Sequence, residues 1–209
     1  MAVDFSPDGQ QIATAGVDGT IKLWQPDGRL LQTLRGHTAL IRSVKFSPDG
    51  LLFATAGDDK TIKLWRRDGT LIRSIQTHTA GVWSIDFSPD GATLISGGND
   101  RSVELWNRQG ILLMTLPGKQ SVIRVVAYSP DGQTIAAGNT DTTITLWHPD
   151  GTRRQVLEGH ATPVHAIAFT RWSHPGFRQF RWHHQTVKPR RHTAEDNSRA
   201  RYGHLELRV

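Results

Sequence analysis

Apolar and polar residues alternate over short stretches of the chain, which is the pattern of half-buried β-strands. Residues 44–46 and 61–65 alternate in this way, whereas residues 51–56 are small and apolar throughout. Ser-Pro-Asp-Gly and Asp-Gly sequences lie between such stretches, and Pro and Gly at these positions favour tight turns. The pattern therefore predicts an all-β fold of short strands joined by hairpin turns.

The same strands and turns recur every 41 residues. Phe-Ser-Pro-Asp-Gly begins at Phe5, Phe46 and Phe87, and Tyr-Ser-Pro-Asp-Gly begins at Tyr128. Two further residue types keep this step, at Trp24, Trp65, Trp106 and Trp147 and at Asp18, Asp59, Asp100 and Asp141. Each copy holds about four strands, so the repeat predicts an arc of about four antiparallel, four-stranded β-propeller blades.

The order of short motifs within one repeat is more specific than its length. Gly36-His37 is followed by Phe-Ser-Pro-Asp-Gly, Ala-Thr-Ala-Gly and Asp-x-Thr-Ile-Lys-Leu-Trp, and this order resembles the WD-repeat family over residues 2–169. The residue after each Trp is Gln25, Arg66, Asn107 or His148, never the Asp of the family's name. Since the family usually closes a ring of about seven blades, the resemblance implies an incomplete ring here. We expect the first blade to lack its outer strand, and residues 163–169 to form a single strand of a fifth.

The resemblance also implies a hydrogen-bonded tetrad of His, Ser or Thr, Asp and Trp that braces each blade. Two complete sets are His37, Thr55, Asp59 and Trp65, and His78, Ser96, Asp100 and Trp106. The fourth repeat has Lys119 and Ala137 at the His and Ser/Thr positions, and the first repeat has no preceding His. Ser, His and Asp together also suit a hydrolase. A catalytic set is needed only once, however, so the recurrence of these residues predicts a structural role and no enzyme.

Positions that vary among otherwise similar repeats are where we expect a partner to bind. The first strand of each blade opens at Arg42, Trp83, Arg124 or His165, and Asp58 and Asn99 precede the tetrad Asp of their repeats. In the family, such positions line one rim of the propeller and contact partners, which implies binding of other proteins or peptides. Arg and Trp are also enriched in interface hot spots. The alternative interpretation is that a neighbouring loop simply covers Trp83.

The net charge of +6 changes this picture little, because it lies entirely at the end of the chain. Residues 1–169 contain 16 Lys and Arg against 16 Asp and Glu, whereas residues 170–209 contain 9 against 3. We therefore expect no specific nucleic-acid partner for the repeats. His37, His78 and His160 lie whole repeats apart, so their spacing predicts no metal site, and no motif predicts a cofactor.

Three further features favour a cytoplasmic protein without a membrane segment. The chain has no cysteine, which suits a reducing compartment. The longest apolar run is residues 111–116, far below the roughly 20 residues of a membrane span. The first residues lack the basic and apolar regions of a secretory signal.

Residues 170–209 form a separate basic segment in which the strand pattern stops. Read in a shifted frame, codons permitted for residues 170–186 can encode the missing repeat, which predicts an out-of-frame or disordered tail. Two functions remain open. One is an interaction scaffold that belongs to a larger regulatory protein or closes its ring by self-association. The other is a truncated gene remnant without independent function, and in-frame blades in the neighbouring DNA would favour the first.

Overall fold

The computed structural model describes residues 2–76, 78–117 and 121–169, and these residues form sixteen β-strands and no helix. Blade 1 contains β1 (Ala2–Phe5), β2 (Ile12–Ala15), β3 (Thr20–Trp24) and β4 (Leu30–Arg35). Blade 2 contains β5 (Ile41–Phe46), β6 (Leu52–Gly57), β7 (Ile62–Arg66) and β8 (Leu71–Ile75). Blade 3 contains β9 (Val82–Phe87), β10 (Thr93–Gly98), β11 (Val103–Asn107) and β12 (Leu112–Leu116). Blade 4 contains β13 (Ile123–Tyr128), β14 (Ile135–Asn139), β15 (Ile144–Trp147) and β16 (Arg153–Leu157).

Each blade is an antiparallel sheet in which the strands pair in chain order, from the inner first strand to the outer fourth strand. This topology is a simple meander, which tight hairpin turns make possible. The all-β fold and the open arc of four four-stranded blades are confirmed. The expectation that the first blade lacks its outer strand is wrong, because β4 pairs with β3 along its length. Residues 163–169 are also not assigned as a strand.

The Ser-Pro-Asp-Gly turns are held by a hydrogen bond within the motif. In blade 2, the Ser47 hydroxyl donates to the Asp49 carboxylate over 2.6 Å, and the Gly50 amide donates to the Ser47 carbonyl over 2.8 Å. Gly50 has a φ of 68°, a left-handed conformation that disfavours other residues. The turn therefore depends on local sequence, which explains why the motif predicts it so well.

The hydrophobic core lies between blades rather than inside each sheet. One cluster joins Ala13, Ile21 and Leu23 of blade 1 to Phe46, Phe53 and Trp65 of blade 2. Equivalent clusters join blade 2 to blade 3 and blade 3 to blade 4. On the other face of blade 1, Val3 and Phe5 are 59% and 58% exposed. Each blade thus stabilises its neighbour, as in other repeat architectures.

Side chains on the inner strands connect one blade to the next. The Asp4 carboxylate accepts the amide hydrogen of Phe46 over 2.7 Å, and the Asp86 carboxylate accepts that of Tyr128 over 2.9 Å. The Ser84 hydroxyl likewise accepts the amide hydrogen of Val126 over 3.1 Å. Because an inner strand is the edge of its sheet, these bonds satisfy amides that would otherwise lack a backbone partner.

Asp86 makes stability depend on pH. Burial raises the pKa of Asp86 to about 6, although the Tyr128 amide and the charge of Lys45 oppose this rise. Between pH 3.8 and about 6, Asp86 therefore holds a proton in the folded chain that it has released in the unfolded chain, where its pKa is 3.8. The contribution of Asp86 to stability is thus present below pH 3.8 and is lost as the pH rises towards 6.

We expect the Asp86→Asn variant to lack this loss, because asparagine stays neutral and can still accept the Tyr128 amide hydrogen. Melting temperatures measured between pH 4 and 7 should show the variant gaining on the wild-type chain as the pH rises. A constant difference between the two chains across this range would contradict the assignment.

The predictions for the tail and for Lys119 fall outside the described residues. Within the described part of the chain, there is no helix of the length and apolarity needed to cross a membrane.

Candidate interaction surface and its supporting tetrads

In blade 2, four side chains form one hydrogen-bonded chain. The Trp65 indole donates to the Thr55 hydroxyl over 2.9 Å, and that hydroxyl lies 2.7 Å from Nε2 of His37. Nδ1 of His37 lies 2.8 Å from the Asp59 carboxylate. A carboxylate can only accept, so Nδ1 donates to Asp59 and Nε2 accepts from Thr55. Burial lowers the pKa of His37 despite the opposing effect of Asp59, which agrees with this neutral imidazole.

Blade 3 repeats the arrangement with serine in place of threonine. The Trp106 indole donates to the Ser96 hydroxyl over 2.9 Å, and Ser96 and Asp100 lie 2.7 Å and 2.8 Å from the two ring nitrogens of His78. Burial by itself raises the pKa of Asp100, but the hydrogen bond and charge of His78 outweigh it and lower the pKa to about 2. Glu104 adds a second carboxylate, 3.1 Å from Nε2 of His78.

The geometry of these tetrads suits bracing better than catalysis. Thr55 and Ser96 have no exposed surface, so a substrate has no access to either hydroxyl. Each tetrad ties the segment that precedes a blade to two of its strands and to the turn between them. Every side-chain nitrogen and oxygen of the two tetrads has a hydrogen-bond partner, which is the condition for a buried network to stabilise a fold.

In blades 1 and 4, at the two ends of the arc, the equivalent Trp indole finds its hydrogen-bond acceptor without a complete tetrad. In blade 1, the Trp24 indole donates to the Thr14 hydroxyl over 2.8 Å without a histidine. In blade 4, where Ala137 removes the hydroxyl, the Trp147 indole donates to the Pro117 carbonyl over 2.7 Å. Sequence analysis missed this replacement, because a backbone acceptor leaves no signal in the pattern of side chains.

The predicted rim residues Arg42, Trp83 and Arg124 meet in space. The central guanidinium carbon of Arg42 lies 5.3 Å from the centroid of the Trp83 ring, and that of Arg124 lies 4.5 Å from it. Both distances are those of a cation–π contact. We call these three side chains the Arg–Trp–Arg cluster. Its members open the inner strands of three successive blades, so the cluster bridges blades 2, 3 and 4.

Asp58 completes one side of the cluster. Nε and a terminal nitrogen of Arg42 donate to its two carboxylate oxygens over 2.8 Å and 2.7 Å, a bidentate pair. Gly81 makes room for this pair, since a Cβ atom there would lie 2.8 Å from Asp58 Oδ1. The cluster is therefore packed closely, although Trp83 is half-buried and Arg42 stays exposed.

The other two predicted rim residues do not join the cluster. Asn99 is exposed in the turn after β10, where its backbone amide donates to the Gly81 carbonyl over 2.9 Å. His165 is exposed beyond β16, and within the described residues no hydrogen bond, ion pair or ring contact links it to the cluster.

Lys60 and Arg101 are rim residues that sequence analysis missed. They occupy the turns that contain the tetrad Asp, are exposed, and have φ values of 67° and 70°. The equivalent residue of blade 1 is Gly19, to which positive φ costs nothing. An alignment of the turns that follow the second strand of each blade would have identified both basic residues. The edge that carries the cluster therefore presents two further exposed cations, one each at blades 2 and 3.

The blades, their meander topology and the residues between them define a WD-type β-propeller, which confirms the resemblance. The family model described as the IFT122 first beta-propeller matches residues 1–174, and the chain belongs to this family. None of the curated proteins matches the sequence. Propeller domains of this type mediate protein–protein interactions, and the family is generally a non-enzymatic scaffold.

Proposed function

We propose that this chain is a protein-interaction scaffold that binds partner proteins or peptides through the Arg–Trp–Arg cluster and the turns around it. The observation that carries the proposal is the pair of cation–π contacts that half-buried Trp83 makes with Arg42 and Arg124 at one edge of the blades. Trp and Arg are the side chains that most often dominate binding energy, because they offer a large contact area together with directional hydrogen bonds. The absence of cysteine suits this role in the cytoplasm.

The blades support this role by keeping the surface rigid. Tetrads brace blades 2 and 3 directly behind the cluster, and side-chain hydrogen bonds fix each inner strand to the next. Preordered side chains lose less entropy when a partner binds.

The test is a selection of random peptides of one length on the full chain. Peptides selected on the wild type should bind a Trp83→Ala variant about tenfold more weakly. The matched control is Leu113→Ala, which truncates a side chain that is 48% exposed on an outer strand. This control should change the affinity less than about twofold. Selected peptides that bind Trp83→Ala as tightly as the wild type would contradict the proposal.

A further inference from the structure

Arg124 is the arginine of the cluster that has no carboxylate partner among the described residues. It is half-buried at the start of β13, with its central guanidinium carbon over the Trp83 ring. Its Nε is buried and makes no hydrogen bond in the described part of the chain, where Arg124 also forms no ion pair. A guanidinium carries five N–H donors, and with Nε buried the four on the two terminal nitrogens are those that can bind an anion.

Blade 2 contains an equivalent arginine that is already paired with a carboxylate. Arg42 opens the inner strand of blade 2 and pairs with Asp58 of the same blade in a bidentate geometry. Arg124 opens the inner strand of blade 4, but the residue equivalent to Asp58 there is Thr140. The Thr140 hydroxyl lies 3.0 Å from the Ser121 hydroxyl and supplies no carboxylate. Blade 4 therefore has the arginine of this pair without its acid.

The surrounding edge adds further positive charge. Lys60 and Arg101 are exposed, and neither forms an ion pair within the described residues. The neighbouring carboxylates Asp59 and Asp100 already accept hydrogen bonds from the tetrad histidines. An acidic ligand at this edge can therefore pair with basic side chains that have no carboxylate partner among the described residues, and such complementary charge favours an anionic partner.

We propose that the cluster binds an acidic segment of a partner protein, with one Asp or Glu carboxylate pairing with Arg124 beside Trp83. The central guanidinium carbon lies 4.5 Å from the indole centroid, and the two terminal nitrogens can donate to a planar, bidentate ligand. A carboxylate from the partner supplies the charge for Arg124 that Asp58 supplies for Arg42. This inference rests on the proposed function and names the chemistry of the partner.

The experiment titrates the full chain against a fluorescein-labelled peptide in which Glu and Ser alternate, followed by fluorescence anisotropy. Replacement of Arg124 with glutamine should weaken binding at least about tenfold, because it removes one partner of a partly desolvated charge pair. The matched control Arg153→Gln removes the same charge from exposed strand β16 and should weaken binding less than about twofold. Binding should also weaken as salt is raised.

A second variant tests the same point without removal of Arg124. Thr140→Asp places a carboxylate at the position that Asp58 occupies in blade 2. This internal acid should pair with Arg124, as Asp58 pairs with Arg42, and weaken the peptide about tenfold by competition. The thermal melting temperature of each variant shows that a loss of binding is not a loss of folding.

Several outcomes overturn the inference. They are absence of peptide binding to the wild type, equal loss in Arg124→Gln and Arg153→Gln, and unchanged binding in Thr140→Asp. Equal or better competition by a phosphoserine peptide or a single-stranded oligonucleotide of the same charge would assign the site to phosphate instead. The random-peptide selection separates the two proposals. Trp83-dependent peptides that are not enriched in Asp and Glu overturn only the acidic partner, whereas no Trp83 dependence overturns the scaffold surface as well.

Discussion

Replacement of Trp106 with alanine is expected to lower the free energy of unfolding by about 3–5 kcal/mol, the cost of truncating a buried aromatic side chain. The Trp106 side chain is 1% exposed and belongs to the cluster that joins blades 2 and 3. Its indole also donates to the Ser96 hydroxyl. The substitution therefore leaves a cavity at an interface on which two blades depend, and it removes a partner of the tetrad.

The matched control for this prediction is the equivalent residue of blade 1. Trp24 is half-buried on the open face of the arc, where no further blade packs within the described residues. Trp24→Ala should therefore cost only about 1 kcal/mol. Urea unfolding followed by circular dichroism measures both variants. Equal losses at the two positions would show that the blade-to-blade interface is not the main source of stability.

Replacement of Thr55 with valine is expected to cost about 2–3 kcal/mol, although the side chain keeps its size. Thr55 has no exposed surface, and its hydroxyl serves both the Trp65 indole and the His37 ring. Valine removes this hydroxyl and leaves a buried donor and a buried acceptor without partners. Water cannot replace the lost bonds without opening the interface, so the penalty of both groups is retained.

Blade 1 again supplies the control, because the Thr14 hydroxyl accepts from the half-buried Trp24 indole, donates only over a long 3.5 Å to the Lys22 carbonyl, and has no histidine partner. Thr14→Val should cost less than about 1 kcal/mol, since water can reach the indole nitrogen. The same urea titration compares the two variants. A loss in Thr55→Val no greater than that in Thr14→Val would mean that the tetrad contributes nothing beyond an ordinary surface hydrogen bond.

Much of the fold could be predicted because the repeat encodes it locally. The turn that contains Ser47 and Gly50 needs only its own hydrogen bonds and a positive φ, so the motif predicts it wherever it occurs. Strand alternation predicts that β7 is a strand, although blades on both sides bury Ile62 to Trp65 without alternation, and the period of 41 residues sets the number of blades. The expectation that blade 1 lacks its outer strand was wrong, because residues 30–35 form β4 and pair with β3 of the same blade.

The candidate site could be predicted only in part. The variable positions that open each inner strand pointed to Arg42, Trp83 and Arg124, but the sequence places them 41 residues apart and does not show that their side chains touch. His165 follows the same pattern and yet makes no contact with the cluster among the described residues. Equivalent positions in the repeat therefore identify candidate residues, and the packing of their side chains decides which of them are in contact.

By itself, the sequence determined the repeat, its strands and turns, and the residue types at each position, because backbone conformation and strand alternation depend on near neighbours. Only the tertiary structure decided how the blades stack. It therefore also decided which side chains make contact between one blade and the next. The cation–π contacts of Trp83 with Arg42 and Arg124 and the raised pKa of Asp86 arise in this way. Each depends on residues distant along the chain, whose distance, burial and charge are set only when neighbouring blades pack together.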